Sequence, residues 1–478
     1  MISFWQSDNL CPSQMLGFEM SDFLDNAIAA SLILVVIFAA LAHGVVEPWS
    51  IFVFELASVV LALLWTIKAV ADRKLRLVMP QTIWPLGALV LLGLAQSVSW
   101  DDGAGFRQSL SLDVESTRGT VLVLCSLLTL SILAANFLNS EVRLLTLTQV
   151  LIFFGAVMGV FGLVQYFSGS ADVYWTRHAE ASPFGPFFNR DHFAGYMELL
   201  IALPVALIAT GYVRGEKRMA YGIAAMFMGV AAIFTLSRGG MISIFAEMIF
   251  IAAMSFRRHR AMTASKGPGK ARIATGVAAV AAILAAIVTG VIWIGAEPVI
   301  NRIATGDPNS SDLSRTQTFY SVRGEIWENT WTMIRQNPLM GVGLGAYETA
   351  YPIYARENGM QGVTAEAHND YLEILAVGGV IGAMSALWFI WALFRAIGRG
   401  VRSPDPLTAA IALGGGAGLF GLLVHSLFDF NLHLPSHATV FLLLSVVISN
   451  IGATVDEPVK SETAYLSVAT SLIGRASS

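Results

Sequence analysis

Apolar residues in this chain run in blocks, and the polar residues gather in the gaps between them. A helix rising 1.5 Å per residue needs about 20 apolar residues to cross a bilayer core about 30 Å thick. Blocks of that kind begin near Ala29, Ser50, Thr82, Thr120, Leu145, Phe193, Met219, Met241, Thr275, Leu372, Leu407 and Thr439. The pattern predicts an all-α polytopic membrane protein of about twelve transmembrane helices. One helical membrane domain, 27–454, is expected between a tail at 1–26 and another at 455–478. A polar island, 297–371, interrupts it and is expected to carry short helices and the chemistry. Within the island, Arg323, Trp327, Trp331 and Ile334 recur at helical spacing, so 321–336 reads as an amphipathic helix with this face toward the membrane interface. Asn337-Pro338 ends it.

Composition agrees with the span pattern: 55% of residues are hydrophobic and 13% charged, about half the charged share of a soluble domain. Lys and Arg collect in alternate linkers, Lys68 to Arg76, Arg143, Arg214 to Arg218, Arg257 to Arg272 and Arg395 to Arg402. By the positive-inside rule these linkers face the cytoplasm, with both tails, and the island faces the far side. The basic residues left on that far side are all arginine, and the six lysines all fall on the inner side. Guanidinium is the planar, weakly hydrated cation suited to phosphate oxygens. The net charge of −4 argues against a nucleic-acid partner. The acidic start, with Asp8, Glu19, Asp22 and Asp25, is unlike a cleaved secretory signal. Cys11 in a tail and Cys125 in a span predict neither a disulfide nor a thiolate metal cluster.

Four polar patches sit at the expected far-side ends of spans. His368 opens His368-Asn369-Asp370-Tyr371, where a neutral imidazole could accept a proton from an attacking hydroxyl; the alternative is a helix cap. Arg323 lies on the amphipathic helix, placed either to meet a lipid diphosphate or to snorkel. Arg238, in Thr235-Leu236-Ser237-Arg238-Gly239, needs a partner so near the bilayer. Glu198 and Glu247 are the candidates, either as its ion-pair partners or as groups ordering a pocket. Asn189-Arg190-Asp191-His192, between Phe188 and Phe193, suits a sugar, or an aromatic belt with a helix cap. Gly341-Val342-Gly343-Leu344-Gly345 reads as a tight turn toward His368, since no nucleotide fingerprint surrounds it. Seven of the eight histidines fall on the far side, but their spacing is not that of a zinc site. No metal and no cofactor is expected. A transporter is the reading from another class; it should show half-repeats or broken helices, and the sequence displays neither.

Taken in order, Gly185 to Tyr196, Thr235 to Gly239, Arg323 to Trp327 with Asn337-Pro338-Leu339-Met340-Gly341-Val342-Gly343, Ala367 to Leu372 and His425 to Pro435 resemble the O-antigen ligase and Wzy-type polymerase superfamily of bacterial envelope glycosyltransferases. The resemblance implies an inner-membrane enzyme with a periplasmic site. It would move a glycan from undecaprenyl diphosphate to an acceptor hydroxyl with inversion and without a metal. By motif position Arg238 and Arg323 would bind the diphosphate and His368 would be catalytic. Asn189, Arg190, His192, Asn369, Asp370, Glu198 and Glu247 would line the substrate site. The family often shows a second Asn where this chain has Asp191. The acceptor is either a growing glycan, as in a polymerase of exopolysaccharide or O-antigen, or lipid A core, as in a ligase. The Asn189-Arg190-Asp191-His192 and Asp429-Phe430-Asn431-Leu432-His433-Leu434-Pro435 segments look like those of exopolysaccharide systems, which inclines the reading toward polymerisation.

Overall fold

A computed structural model describes residues 12–75, 77–101, 107–178, 182–263, 313–357 and 364–456. The expected span near Thr275, the linker at 265–270, Cys11, most of the C-terminal tail and parts of the 297–371 island lie outside the described residues. In chain order the helices are α1 Pro12–Leu41, α2 Pro48–Asp72, α3 Ile83–Gln96, α4 Val114–Phe137, α5 Glu141–Phe167, α6 Arg190–Ala209, α7 Lys217–Phe234, α8 Arg238–Thr263, α9 Leu313–Gln336, α10 Tyr347–Glu357, α11 Asp370–Gly400, α12 Pro406–His425 and α13 Pro435–Asp456. Two short hairpins, Ser99–Asp101 with Arg107–Ser109 and Asp172–Val173 with Arg177–His178, and a 3-10 turn at Asn431–His433 complete them. The protein is an all-α polytopic membrane protein. Ten of the described helices are long and apolar enough to cross a membrane. The block near Thr82 forms α3, only 14 residues long, about 21 Å and short of the bilayer core.

The centre of the bundle is α6, whose membrane-length segment is 94% buried, against 22% for the peripheral α2. Glycine lets α12 approach it. A β-carbon at Gly414 or Gly418 would stand 2.8 Å from the α6 carbonyls of Ala202 and Leu199, so any side chain there would push the helices apart. Capping fixes where the helices begin: Asp113, Ser140, Asn189, Asn369 and Asp405 each accept a backbone N–H of the first turn, satisfying donors that a helix start leaves orphaned.

One helix departs from the expectation of unbroken spans. α11 is interrupted at Gly379 (φ 59, ψ −160), a conformation open to glycine. The amides that follow are taken by the chain after α9: Val380 N donates to Pro338 O at 2.9 Å and Ile381 N to Leu339 O at 3.3 Å. In return Val342 N and Gly343 N donate to the α11 carbonyls of Ala376 and Val377. Gln96 fastens the junction, donating to Met340 O and Val377 O and accepting from Leu344 N. The glycine run is thus a turn, as expected, but it docks against the break in α11, about three turns past His368. The amides of Val342, Gly343 and Leu344 are spent there.

α9 spans the predicted helix. Ile326, Asn329, Thr330, Met333 and Ile334 face α10 and the interior, while Trp331 is 46% exposed. The polar pair enters the core because tyrosines meet it: Asn329 Nδ2 donates to Tyr351 Oη at 2.9 Å, and Thr330 Oγ1 lies 2.6 Å from Tyr347 Oη. Asn337 Nδ2 likewise donates to Tyr354 Oη at 2.7 Å.

Candidate functional site

The starts of α6, α8, α11 and α13 and the end of α12 meet at one end of the bundle. Asn369 caps α11, its side chain accepting from Tyr371 N and Leu372 N, both at 3.0 Å. Its amide donates to Leu427 O at 3.1 Å, and Asp370 N donates to Ser426 O at 3.0 Å. These bonds stitch the His368 segment to the turn after α12. Asn369 therefore serves as the cap, with both ends of its amide engaged, rather than lying open to a ligand.

His368 stands just before the cap with φ 52, a left-handed backbone that costs a residue with a side chain about 1–2 kcal/mol. Its Nδ1 lies 3.3 Å from Asp429 Oδ1, and its ring stands edge-on to Phe430 at 5.1 Å. The imidazole is one-third exposed while Asp429 is 4% exposed, so the ring reaches water and the carboxylate backs it. Burial alone would raise the Asp429 pKa. The His368 hydrogen bond and the nearby His192 and His425 outweigh it and hold the carboxyl well below its ordinary value. An ionised Asp429 accepts from Nδ1–H, which leaves Nε2 as the basic nitrogen.

Arg238 begins α8 after a turn in which Leu236 has φ 58 and the Ser237 hydroxyl accepts from Gly240 N at 3.1 Å. The next residue shows why glycine is required. A β-carbon on Gly239 would stand 2.6 Å from Cδ2 and Nε2 of His425, so the α12 imidazole rests on the α8 backbone beside Arg238. His425 Nδ1 in turn lies 3.0 and 3.2 Å from the two carboxylate oxygens of Glu198, both side chains being buried. Glu198 thus lies beside the start of α8, and the partner it is seen to hold is a histidine. Glu247, expected as another partner of Arg238, is fully buried, and neither of its carboxylate oxygens has a hydrogen-bond partner among the described residues.

Arg323 reaches the same end through α9. One turn after it, Trp327 donates its indole N–H to Ala367 O at 3.0 Å, the carbonyl just before His368. Four residues are about 6 Å along a helix, so this bond fixes Arg323 near the His368 segment.

The remaining patch divides into cap and packing. Asn189 caps α6 through Asp191 N at 2.9 Å, and Arg190 N donates to Ser182 O at 2.8 Å. His192 is buried, edge-on to Phe430 at 4.9 Å, and its carbonyl lies 2.7 Å from His437 Nε2. Phe430 therefore separates the His192 and His368 rings.

A second group flanks His368. His433 Nδ1 lies 2.9 Å from Glu366 Oε2 and 3.3 Å from Glu373 Oε1, and its Nε2 lies 3.7 Å from Asp370 Oδ1. Donor atoms of Glu366, Glu373 and His433 all fall within 4.8 Å of one another. Burial would lower the His433 pKa, but the carboxylates of Glu373, Glu366 and Asp370 raise it well above the ordinary value. Despite burial, Glu366 is lowered by the same imidazole. The imidazolium itself supplies the positive charge these carboxylates require.

Sequence reasoning placed Arg238, Arg323 and His368 at this end and missed Asp429, His425, Glu366, Glu373 and His433. Asp429, His425 and His433 fall inside the quoted His425 to Pro435 segment, whose spacing gave no cue to which of them faces His368.

A protein-family model described as O-Antigen ligase matches residues 223–387, about a third of the chain. The match runs from α7 into α11 and includes Arg238, Arg323 and His368, so this segment is similar to that family, which supports the superfamily resemblance. It stops short of the α6 start and of the segment after α12 that supplies Asp429. A comparison with curated proteins gives no match. The family indicates glycosyltransferase-like activity on polysaccharide and lipid substrates.

Proposed function

We propose that the protein is an inverting glycosyltransferase of the inner membrane that takes glycan from undecaprenyl diphosphate on the periplasmic side and joins it to an acceptor hydroxyl, polymerising repeat units of an exopolysaccharide or O-antigen. The observation that carries this reading is the His368–Asp429 pair at the bundle end shared with Arg238, inside a chain matched by the O-antigen ligase family. In this mechanism the acceptor oxygen attacks the anomeric carbon as its proton passes to Nε2 of His368. Asp429 stabilises the imidazolium that forms. The anomeric C–O bond breaks, and the diphosphate leaves with the electron pair. Arg238 and Arg323 meet the negative charge growing on it, where fixed cations lower the barrier more than by binding alone. Arg190 and Asp191 at the start of α6, with Asp370, line the approach for sugar hydroxyls.

Ligation of a finished glycan to lipid A core is the second reading, favoured by the description of the matched family. Purified protein given diphosphate-linked repeat units, with and without lipid A core, separates the two. A ladder of products supports polymerisation, and a single product requiring the core supports ligation. Absence of transfer under either condition contradicts both. A transporter is disfavoured although α11 is broken, because the amides freed at Gly379 are already satisfied by Pro338 and Leu339.

A further inference from the structure

Three contacts converge on the five residues that hold His368, and they are made by His433 and Glu373, which have no part in the mechanism above. His433 Nδ1 reaches Glu366, two residues before His368, and His433 Nε2 faces Asp370, two residues after it. Glu373, the third carboxylate on His433, accepts from Ala367 N at 2.9 Å through its other oxygen. Between these ties the His368 backbone adopts the left-handed conformation. An isolated loop would relax toward negative φ, so something must hold it. The same 3-10 turn that presents His433 follows Asp429 and Phe430, the two groups touching the His368 ring.

We infer that His433 is a positioning residue: its imidazolium clamps Glu366, Asp370 and Glu373 and thereby fixes His368 against Asp429. The inference rests on the function proposed above for its catalytic consequence, but the clamp itself does not. The groups facing His433 are Glu366 from the segment before α11 and Asp370 and Glu373 from α11. Beyond the carboxylates stand Tyr347 of α10, His368 and Asp429. His437, one turn along α13, points away to the His192 carbonyl. Among these, His433 carries the cation that the three acidic side chains face. The raised pKa of His433 keeps the clamp closed at neutral pH. Deprotonation would remove the cation that these acidic side chains face, and the His368 segment would loosen.

The test is transfer by the purified full-length protein as a function of pH, for wild type, His433→Gln and His433→Arg. A reactive group misplaced by 1 Å can cost 10²-fold, so His433→Gln should lose roughly tenfold or more in kcat with donor KM nearly unchanged. The wild type should lose activity on the alkaline side, and His433→Arg, whose charge is fixed, should recover part of the rate without that alkaline loss. Unfolding temperature against pH supplies a readout without substrate. Wild type should lose stability as the medium becomes alkaline, and His433→Arg should not. If no protein transfers glycan, the proposed function fails while the unfolding comparison still decides the clamp. An alkaline loss identical in wild type and His433→Arg, or a wild-type rate in His433→Gln, would overturn it.

Discussion

Asp429 lies directly behind His368, 3.3 Å from its Nδ1 and almost wholly screened from solvent, while the imidazole itself reaches water. The two residues are 61 positions apart and sit on different helix-flanking turns. Their pairing sets the tautomer, and the tautomer decides which nitrogen can take a proton. Asp429→Asn preserves the shape and removes the charge. Turnover at neutral pH is expected to fall by about 10²–10⁴, the range supplied by a positioned base. Donor binding should change little. Steady-state kinetics with a diphosphate-linked donor check this, and an unchanged kcat would remove Asp429 from the mechanism.

Arg238 and Arg323 are expected to tolerate lysine poorly. An ammonium keeps the charge but not the planar fork that matches two phosphate oxygens. Arg238→Lys and Arg323→Lys should each lose about 10²-fold in kcat/KM, the order seen for one transition-state donor. Activity near wild type in both would mean that these residues only need to be positive.

Gly239→Ala tests the contact that seats Arg238. The added methyl would enter the His425 ring at 2.6 Å, and overpacking of this kind costs about 1–3 kcal/mol. The substitution should lower the unfolding temperature and reduce transfer, whereas Gly222→Ala, with open space around it, should do neither. Equal behaviour of the two variants would contradict the packing of α8 against α12.

Acid should destabilise the site through Asp429. Its pKa is lowered in the fold, so the unfolded chain binds the proton more readily. The stabilisation is complete above the ordinary value of 3.8 and is lost as pH falls through the lowered one. Asp429→Asn should therefore flatten the acid side of a plot of unfolding temperature against pH. A slope unchanged by the substitution would show that other carboxylates govern it.

What the sequence disclosed and what it concealed divide along physical lines. The spans were legible because lipid demands long apolar runs. Arg238, Arg323 and His368 stood out as polar groups where such runs end. The partner of His368 did not, since an aspartate is chosen by three-dimensional packing and no local period marks it. Asn329 and Thr330 are polar, yet they bury because Tyr351 and Tyr347 supply partners, which the sequence pattern of the helix does not mark. The break at Gly379 hid inside an apolar run, because the groups that satisfy it come from Pro338 and Leu339, some 40 residues earlier.

In the proposed mechanism Arg238, Arg323 and His368 act together on one lipid-linked diphosphate donor. Single-turnover transfer and donor binding by purified wild type, Arg238→Ala, Arg323→Ala and His368→Ala test it most directly. His368→Ala should still bind donor but transfer no glycan, and each arginine variant should lose both affinity and transfer. Wild-type transfer by all three folded variants would contradict it.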